Sequence, residues 1–327
     1  MSKFIGRLAD IGFAKEAVRG TPLDPTFWVP QLSLTFDEMV EQVLEESSVG
    51  VIEDSVDRNI TEKIANGTLE GRIAAESFGL LLLNAIGDVS SAVAAGESVV
   101  FDHTFSVLQS AQHPSLTISV KEPNSSKRYA LGMLNSLVIN VALNQYAQFT
   151  SDIRAKIGVD ASLTPVYVAA DEKKIFLPQH GEFKVASTIA GLDAAQAINI
   201  KSFSISIEKN LEDDQVLGSL DPSDILNKQF AIEGTVELLY NDQTFIDDLL
   251  ADTKQAMRLE IKNTDITIGS AENPTLTFDF AKVSFSEVTK PFTNNDLTVQ
   301  TFSFKAHYDL TTTKMLDVIL TNETTSY

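Results

Sequence analysis

The amino-acid sequence predicts a mainly β protein made of two tandem β-sandwich or barrel units, each with one flanking α-helix. Three observations predict this fold class. Apolar and polar residues alternate in many short runs, as they do in strands with one buried face. A Glu-Gly pair occurs in the same phase in two of these runs, at residues 70–71 and 233–234. Each of the two runs leads into a Phe-led helical segment, at Phe78 and Phe245.

Residues 1–30 are predicted to form an irregular N-terminal arm. Three prolines and two glycines between residues 11 and 30 oppose any regular element there. The arm nevertheless carries Phe13, Phe27 and Trp28, the last being the only tryptophan. Large apolar side chains must pack against something, either their own domain or a neighbouring molecule. We expect these three side chains to be assembly contacts, and packing within their own domain is the alternative.

The first predicted unit spans residues 31–160. After an opening strand, the acidic stretch 38–57 is interpreted as a strand and a long solvated loop, because it lacks the ordered oxygen ligands of a calcium loop. The Glu-Gly strand is expected to run to Glu76, and Ser77 to cap a helix that stops at Gly87. Three further strands complete the unit, at residues 116–121, 137–143 and 149–157.

The order of elements then restarts. Residues 89–97 are interpreted as flexible because their side chains are small, and residues 161–199 are interpreted as a connection because their periodicity is weak. Residues 200–327 form the second predicted unit, with a strand, an acidic loop, the second Glu-Gly strand, a helix capped by Thr244 and three strands. Alternation alone is common in antiparallel sheets, so the recurring helix is the stronger sign of an old duplication.

Composition excludes several classes of protein. The 327 residues include 45 acidic and 25 basic side chains, and the net charge of −20 opposes nucleic-acid binding through a basic groove. The absence of cysteine excludes disulfides, thiolate catalysis and cysteine metal sites. The chain starts without the apolar core of a signal peptide, and no apolar run reaches the roughly 20 residues of a membrane helix. We therefore expect synthesis in the cytoplasm and no membrane partner.

Residues that could carry chemistry are scattered. The four histidines lie far apart and show no metal-binding spacing, and no nucleophile elbow, phosphate loop or dinucleotide fingerprint is present. We expect no enzyme activity and no catalytic, cofactor-binding or metal-binding residues. Two distant carboxylates could still form a glycosidase pair, which leaves a glycan-cleaving enzyme as an alternative. A secreted or surface β-sandwich that binds carbohydrate or protein is another.

Six short segments occur in an informative order, at residues 12–16, 20–22, 25–30, 103–105, 116–118 and 132–139. In this order they resemble the major tail (tail tube) proteins of tailed bacteriophages, of the long non-contractile type. The resemblance implies a structural virion protein whose rings stack into a tube. The tube would enclose the tape-measure protein, contact tail terminator and tail tip proteins, and conduct DNA without binding it specifically. It also implies assembly into the virion tail after synthesis in the cytoplasm of a bacterial host.

The duplication adds a prediction about the ring. A simple tail tube subunit needs one unit, so a chain with two is expected to form a trimeric ring with approximate sixfold symmetry. The rival is a hexamer in which the second unit decorates the outside. The carboxylates on the polar faces of the Glu-Gly strands are candidates for lining the lumen, and these are Glu70, Glu76, Glu233 and Glu237.

Overall fold

The computed structural model describes residues 3–168 and 174–327, which form nineteen strands and two α-helices. The strands are β1 Asp10–Lys15, β2 Phe27–Val29, β3 Gln31–Glu45, β4 Asp57–Arg72, β5 Gly87–Val93, β6 Phe101–Val107, β7 Leu116–Lys121, β8 Ser126–Ala142, β9 Gln148–Ala155, β10 Val159–Asp160, β11 Gly181–Ala186, β12 Ser202–Glu208, β13 Leu211–Asp214, β14 Asp224–Asn227, β15 Ala231–Leu239, β16 Gln255–Lys262, β17 Thr275–Thr289, β18 Val299–Ala306 and β19 Leu316–Asn322. The helices are α1 Gly79–Ile86 and α2 Thr244–Leu250. The prediction of a mainly β fold is confirmed.

Eight of these strands lie side by side in one antiparallel sheet, in the order β3-β4-β9-β8-β12-β15-β18-β17. One face of this sheet is apolar, because alternate residues such as Phe149, Ile205 and Phe304 are buried. Both helices contact this sheet, α1 through β8 and α2 through β17. Phe245 of α2 stacks on Phe302 of β18 with their ring centroids 4.5 Å apart. The opposite face carries the polar residues of the alternation, and we call it the polar face.

A second layer covers the apolar side. The first half of β8 leaves the eight-stranded sheet and pairs in this second layer with β7 and β10. The first half of β17 does the same and pairs with β16 and β19. β1 joins β7, β11 joins β16, and β6 pairs with both β5 and β19. The core lies between the layers as one large cluster that extends from Ile11 to Leu320. One continuous core therefore links both halves of the chain.

The strand registers repeat between the two halves. β9 and β18 are both eight residues long, and the sixth residues, Ile153 and Phe304, pair with Leu134 of β8 and Phe285 of β17. The register of each pair shifts immediately after these two positions. A second shift follows Leu116 in β7 and Gln255 in β16, the first residue of each strand. These parallels support the predicted duplication, while the division at residues 160 and 199 stays a prediction.

The registers also correct the alignment of the two Glu-Gly strands. Gly67 pairs with Ile153 and Gly234 pairs with Phe304, so Gly67, and not Gly71, corresponds to Gly234. A Cβ atom on Gly67 would collide with the Thr35 carbonyl oxygen, and one on Gly234 with the Ser204 carbonyl oxygen. The sequence alignment was wrong by four residues because a shift by an even number leaves the alternation unchanged.

Several predicted boundaries were wrong. β1 and β2 are regular strands within the predicted N-terminal arm, β5 overlaps the stretch interpreted as flexible, and β11 lies in the predicted connection. β19 was not anticipated. Ser77 does not cap α1, whose N-cap residue, Phe78, makes no side-chain hydrogen bond. Thr244 is the first residue of α2 and not its cap; the N-cap residue, Gln243, makes no side-chain cap hydrogen bond, and the Asp242 carboxylate before it accepts a hydrogen bond from the Thr244 N–H at 3.0 Å.

We predict that Gly234→Ala destabilises the protein by about 1–3 kcal/mol, because the added methyl group pushes β15 away from β12. The urea midpoint of unfolding, followed by circular dichroism, measures this loss. Thr235→Ala is the matched control, since Thr235 is exposed on the same strand. An unchanged midpoint for Gly234→Ala would show that the close approach of the two strands is not a packing constraint.

Candidate assembly interface

The eight-stranded sheet has two open edges. Among the described residues, β3 pairs only with β4, and residues 284–289 of β17 pair only with β18. An unpaired strand edge presents free N–H and C=O groups and is a template for pairing with another chain. These two edges are therefore candidate sites of self-association.

The chain itself contains a junction of this kind, between β8 and β12. Seven residue pairs are in register, from Ser202 opposite Ala142 to Glu208 opposite Ser136. The inward side chains are all buried, and they are Phe203, Ile205 and Ile207 of β12 and Leu137, Ile139 and Val141 of β8. Burial of one such side chain contributes roughly 1.5–3 kcal/mol, so this junction is a stable contact between the two halves.

A buried lysine lies next to this junction. Lys209 follows β12 with 1% of its surface exposed, and its Nζ donates to the Asn84 carbonyl oxygen of α1 at 2.6 Å. Burial lowers the pKa of Lys209 to about 7, and the nearby positive charge of Arg19 acts in the same direction. The Asn84 side chain in turn bonds the Gly132 carbonyl and the Leu134 N–H of β8. The amine therefore links β12 to α1 and β8.

The C-terminal residues form a second junction. β19 pairs with β17 on one side and with β6 on the other. Beyond it, the Tyr327 hydroxyl donates to the Glu76 carbonyl oxygen at 2.6 Å, and Thr324 Oγ1 donates to the Glu76 carboxylate at 2.6 Å. The Asn322 amide donates to the Ala75 carbonyl oxygen at 2.6 Å. The end of the chain is thus attached to the segment that leads into α1.

The aromatic residues of the predicted N-terminal arm lie against their own chain. Phe13 is completely buried in β1, and Trp28 is 3% exposed in β2. Phe27 is half-buried, with its ring centroid 6.0 Å from that of Tyr327. These three side chains therefore pack within their own domain, which was the alternative. Their role in assembly stays a prediction.

The four predicted lumen carboxylates do not share one environment. Glu70 and Glu233 are exposed on the polar face, and Glu237 is half-buried there. Glu76 was wrongly placed on a strand, because β4 ends at Arg72 and Glu76 is 4% exposed. Its carboxylate accepts a hydrogen bond from Lys174 Nζ at 2.6 Å. Glu76 is therefore part of a buried ion pair within the chain.

Acidic side chains outnumber basic ones on the polar face. The hairpin that β3 and β4 form beyond Met39 is left out of this count. In the rest of the sheet, the strand alternation directs seven carboxylates and three cationic groups to this face. The carboxylates are Asp37, Glu70, Asp152, Glu208, Glu233, Glu237 and Glu287, and the cations are Arg72, Arg154 and Lys305. A surface of this composition repels phosphate groups.

The histidines make hydrogen bonds within the chain. No group of three or more potential metal ligands occurs in the part of the chain that the structure describes. His103 bonds Ser91 and Asn322, whereas His307 bonds Ser284, so each has a structural partner. Within the same described residues, no helix has both the length and the hydrophobicity of a membrane span.

Comparison with protein families supports the resemblance seen in the sequence. The family model for phage tail tube proteins matches residues 6–306. The chain belongs to the phage tail tube protein family. Membership implies a structural role in the virion tail. A comparison with curated proteins found no match.

We predict that Lys209→Met changes how the stability of this tail tube protein depends on pH. The folded-state pKa of about 7 lies below the ordinary 10.5, so the unfolded chain binds more protons between these values. Lys209 should therefore make the wild-type free energy of unfolding rise with pH between 7 and 10.5. Below pH 7 the amine is charged in the folded protein as well, so the full free-energy cost of burying the charge remains. Urea unfolding at pH 6 and pH 9 measures the slope, which the variant should lose.

Lys228→Met is the matched control, because the Lys228 side chain is 56% exposed. The comparison uses the difference between the two pH values, since Lys209→Met also removes the hydrogen bond to Asn84. Equal pH slopes for the wild type and Lys209→Met would contradict a charge buried beside the junction.

Proposed function

We propose that three copies of this chain close into a ring with approximate sixfold symmetry, and that these rings stack into the tail tube. The observation that carries the proposal is the pairing of β12 with β8 inside the chain. If β3 of one copy pairs in the same way with the open edge of β17 in the next, each chain adds eight strands. Three chains then make one closed barrel, and closure removes every open edge of the sheet.

The repeated registers indicate which residues would meet in this contact. A Cβ atom added to Gly67 would collide with Thr35 of β3, and one added to Gly234 with Ser204 of β12. Thr35 is therefore the counterpart of Ser204, and Asp37 the counterpart of Ser206. The register shifts of β8 and β17 make Thr289 the counterpart of Val138. Because Ser206 pairs with Val138 within the chain, Asp37 should lie opposite Thr289 of the neighbouring copy. Residues 290–293 include Pro291 and form no strand, so this contact is shorter than the junction inside the chain.

The position of β12 favours three chains over six. β12 lies between β8 and β15 within the eight-stranded sheet. A second unit that only decorated a hexamer would be attached outside the ring-forming sheet, usually by a flexible linker. In the predicted connection, Phe176 and Phe183 are completely buried, which also argues against a free linker.

The polar face is proposed to line the bore, with Glu70, Glu233 and Glu237 among the lining residues. Its excess of carboxylates would keep DNA moving, because phosphates meet repulsion rather than capture. In this role the tube encloses the tape-measure protein and conducts DNA during ejection. Tail terminator and tail tip proteins would bind the ends of the stacked rings.

The register can be tested with an engineered disulfide, because the chain has no cysteine of its own. Asp37→Cys combined with Thr289→Cys places two thiols opposite each other only between copies. Mild oxidation should give covalent trimers on a non-reducing gel, alongside dimers from incomplete closure. Ser33→Cys with Thr289→Cys is the control, since four residues out of register separate the thiols by about 13 Å. Covalent hexamers would contradict the trimer, and equal cross-linking of both pairs would contradict the register.

A further inference from the structure

A lysine and an asparagine face each other in the core beside the junction of β8 and β12. Lys209 directly follows β12, and Asn84 lies in α1. The Nζ atom of Lys209 is 2.6 Å from the backbone carbonyl oxygen of Asn84 and 3.5 Å from its side-chain oxygen, Oδ1. Asn84 is completely buried, and Lys209 is 1% exposed. The fold thus holds an amine against a carboxamide away from bulk water.

An amine needs a free electron pair to attack a carboxamide, and a lysine in water is protonated at neutral pH. Burial, reinforced by the nearby charge of Arg19, lowers the pKa of Lys209 to about 7. About half of the Lys209 amines are therefore neutral at pH 7, and most of them at higher pH. A lysine that is desolvated in this way is an activated nucleophile.

The carboxamide of Asn84 is held in one orientation. Its Oδ1 accepts a hydrogen bond from the Leu134 N–H at 2.7 Å. Its Nδ2 donates to the carbonyl oxygens of Pro114 at 2.9 Å and Gly132 at 3.1 Å. The Leu134 N–H polarises the side-chain carbonyl group and would stabilise the negative charge that develops on Oδ1 during an attack on Cγ.

A neutral imidazole lies beside these two groups. Burial is the main reason that the pKa of His113 falls to about 4, and the charge of Lys209 acts in the same direction. The Asn84 carbonyl oxygen opposes this shift, so the ring is close to both side chains. Nε2 donates to the Leu108 carbonyl oxygen at 3.0 Å, which leaves the electron pair on Nδ1. Within the described residues, Nδ1 makes no hydrogen bond, so it can accept a proton.

A bond between Lys209 and Asn84 would join the two halves of the chain. The two residues are 125 positions apart, and the bond would fasten the end of β12 to α1. Closing so long a loop reduces the conformational freedom of the unfolded chain, as a disulfide does. The chain has no cysteine, so a disulfide is not open to it. An amide crosslink would give the same kind of stabilisation without a thiol.

We propose that Lys209 and Asn84 form an amide crosslink within each folded chain. The neutral Nζ attacks the side-chain carbonyl carbon of Asn84, and a bond forms between Nζ and Cγ. A proton passes from Nζ through Nδ1 of His113 to Nδ2 of Asn84. The bond between Cγ and Nδ2 then breaks with its electron pair, and ammonia leaves. One amide replaces another, so the reaction needs no oxidant, reductant or cofactor, and it does not depend on the proposed ring.

The reaction is slow, because Nζ is hydrogen-bonded to the backbone carbonyl group of Asn84 and must turn toward Cγ before it attacks. Chains isolated soon after synthesis therefore keep a free amine, and with it the pH-dependent stability predicted for Lys209. Chains that have reacted lose this pH dependence, since an amide nitrogen binds no proton in this range.

Intact-mass spectrometry of the wild-type protein tests the crosslink, directly after purification and after a week at pH 9. Each crosslink releases one ammonia molecule, so the incubated chains should be lighter than the sequence mass by about 17 Da. After proteolysis, the peptide that contains Lys209 should be joined to the peptide that contains Asn84. Lys209→Met should keep its full mass. Lys228→Met is the matched control, because it removes an exposed lysine and should lose mass as the wild type does.

The peptide map separates the crosslink from another loss of ammonia. An asparagine that precedes a glycine, such as Asn66 before Gly67, can close to a succinimide with the same change in mass. A succinimide joins no two peptides. An unchanged mass after incubation, a loss confined to the peptide that contains Asn66, or an equal loss in Lys209→Met would each overturn the crosslink. The wild-type map decides the question even if Lys209→Met fails to fold.

Discussion

The pairing of β12 with β8 is the contact on which the rest of the structure depends. It makes one sheet from strands of both halves, with Phe203, Ile205 and Ile207 continuing the apolar face that begins at Leu69 of β4. Because that face is continuous, both helices pack on the same side and one core serves the whole chain. The polar face is continuous for the same reason. A sheet interrupted at this point would have two more open edges and no shared core.

The bends of β8 and β17 allow each strand to belong to two layers. The register shifts after Leu134 and Phe285 lie where these strands turn from one layer to the other. An extra residue in one strand of a pair increases the local twist and bends that strand, so the pairing partner changes along its length. This is why the second half of β17 lies at the sheet edge, paired only with β18, while its first half is enclosed between β16 and β19.

Local alternation was enough to predict the fold class and most strands, since apolar and polar residues alternate along each of them, even in β7, where Thr117 and Ser119 are buried. It could not reveal β19, because Thr321 and Asn322 are buried polar residues whose partners, Asp102 and Ala75, are more than 200 positions away. It also misplaced Glu76, whose burial depends on Lys174. The two open edges of the candidate interface are visible only once pairing partners are known, whereas the acidic character of the polar face follows from the sequence pattern.

The three cations on the polar face all have partners within the chain. Arg154 is bound to Asp213 at 2.8 Å, Lys305 to Glu233 at 2.7 Å, and the Arg72 guanidinium lies 4.2 Å from the centroid of the Tyr146 ring. Each cation therefore has a partner within the chain, and two of the three are neutralised by carboxylates. A phosphate passing this face would have to displace a bound carboxylate before it could bind Arg154 or Lys305. If the polar face lines the bore as proposed, weak retention of DNA would follow from how the charges are paired as well as from how many there are.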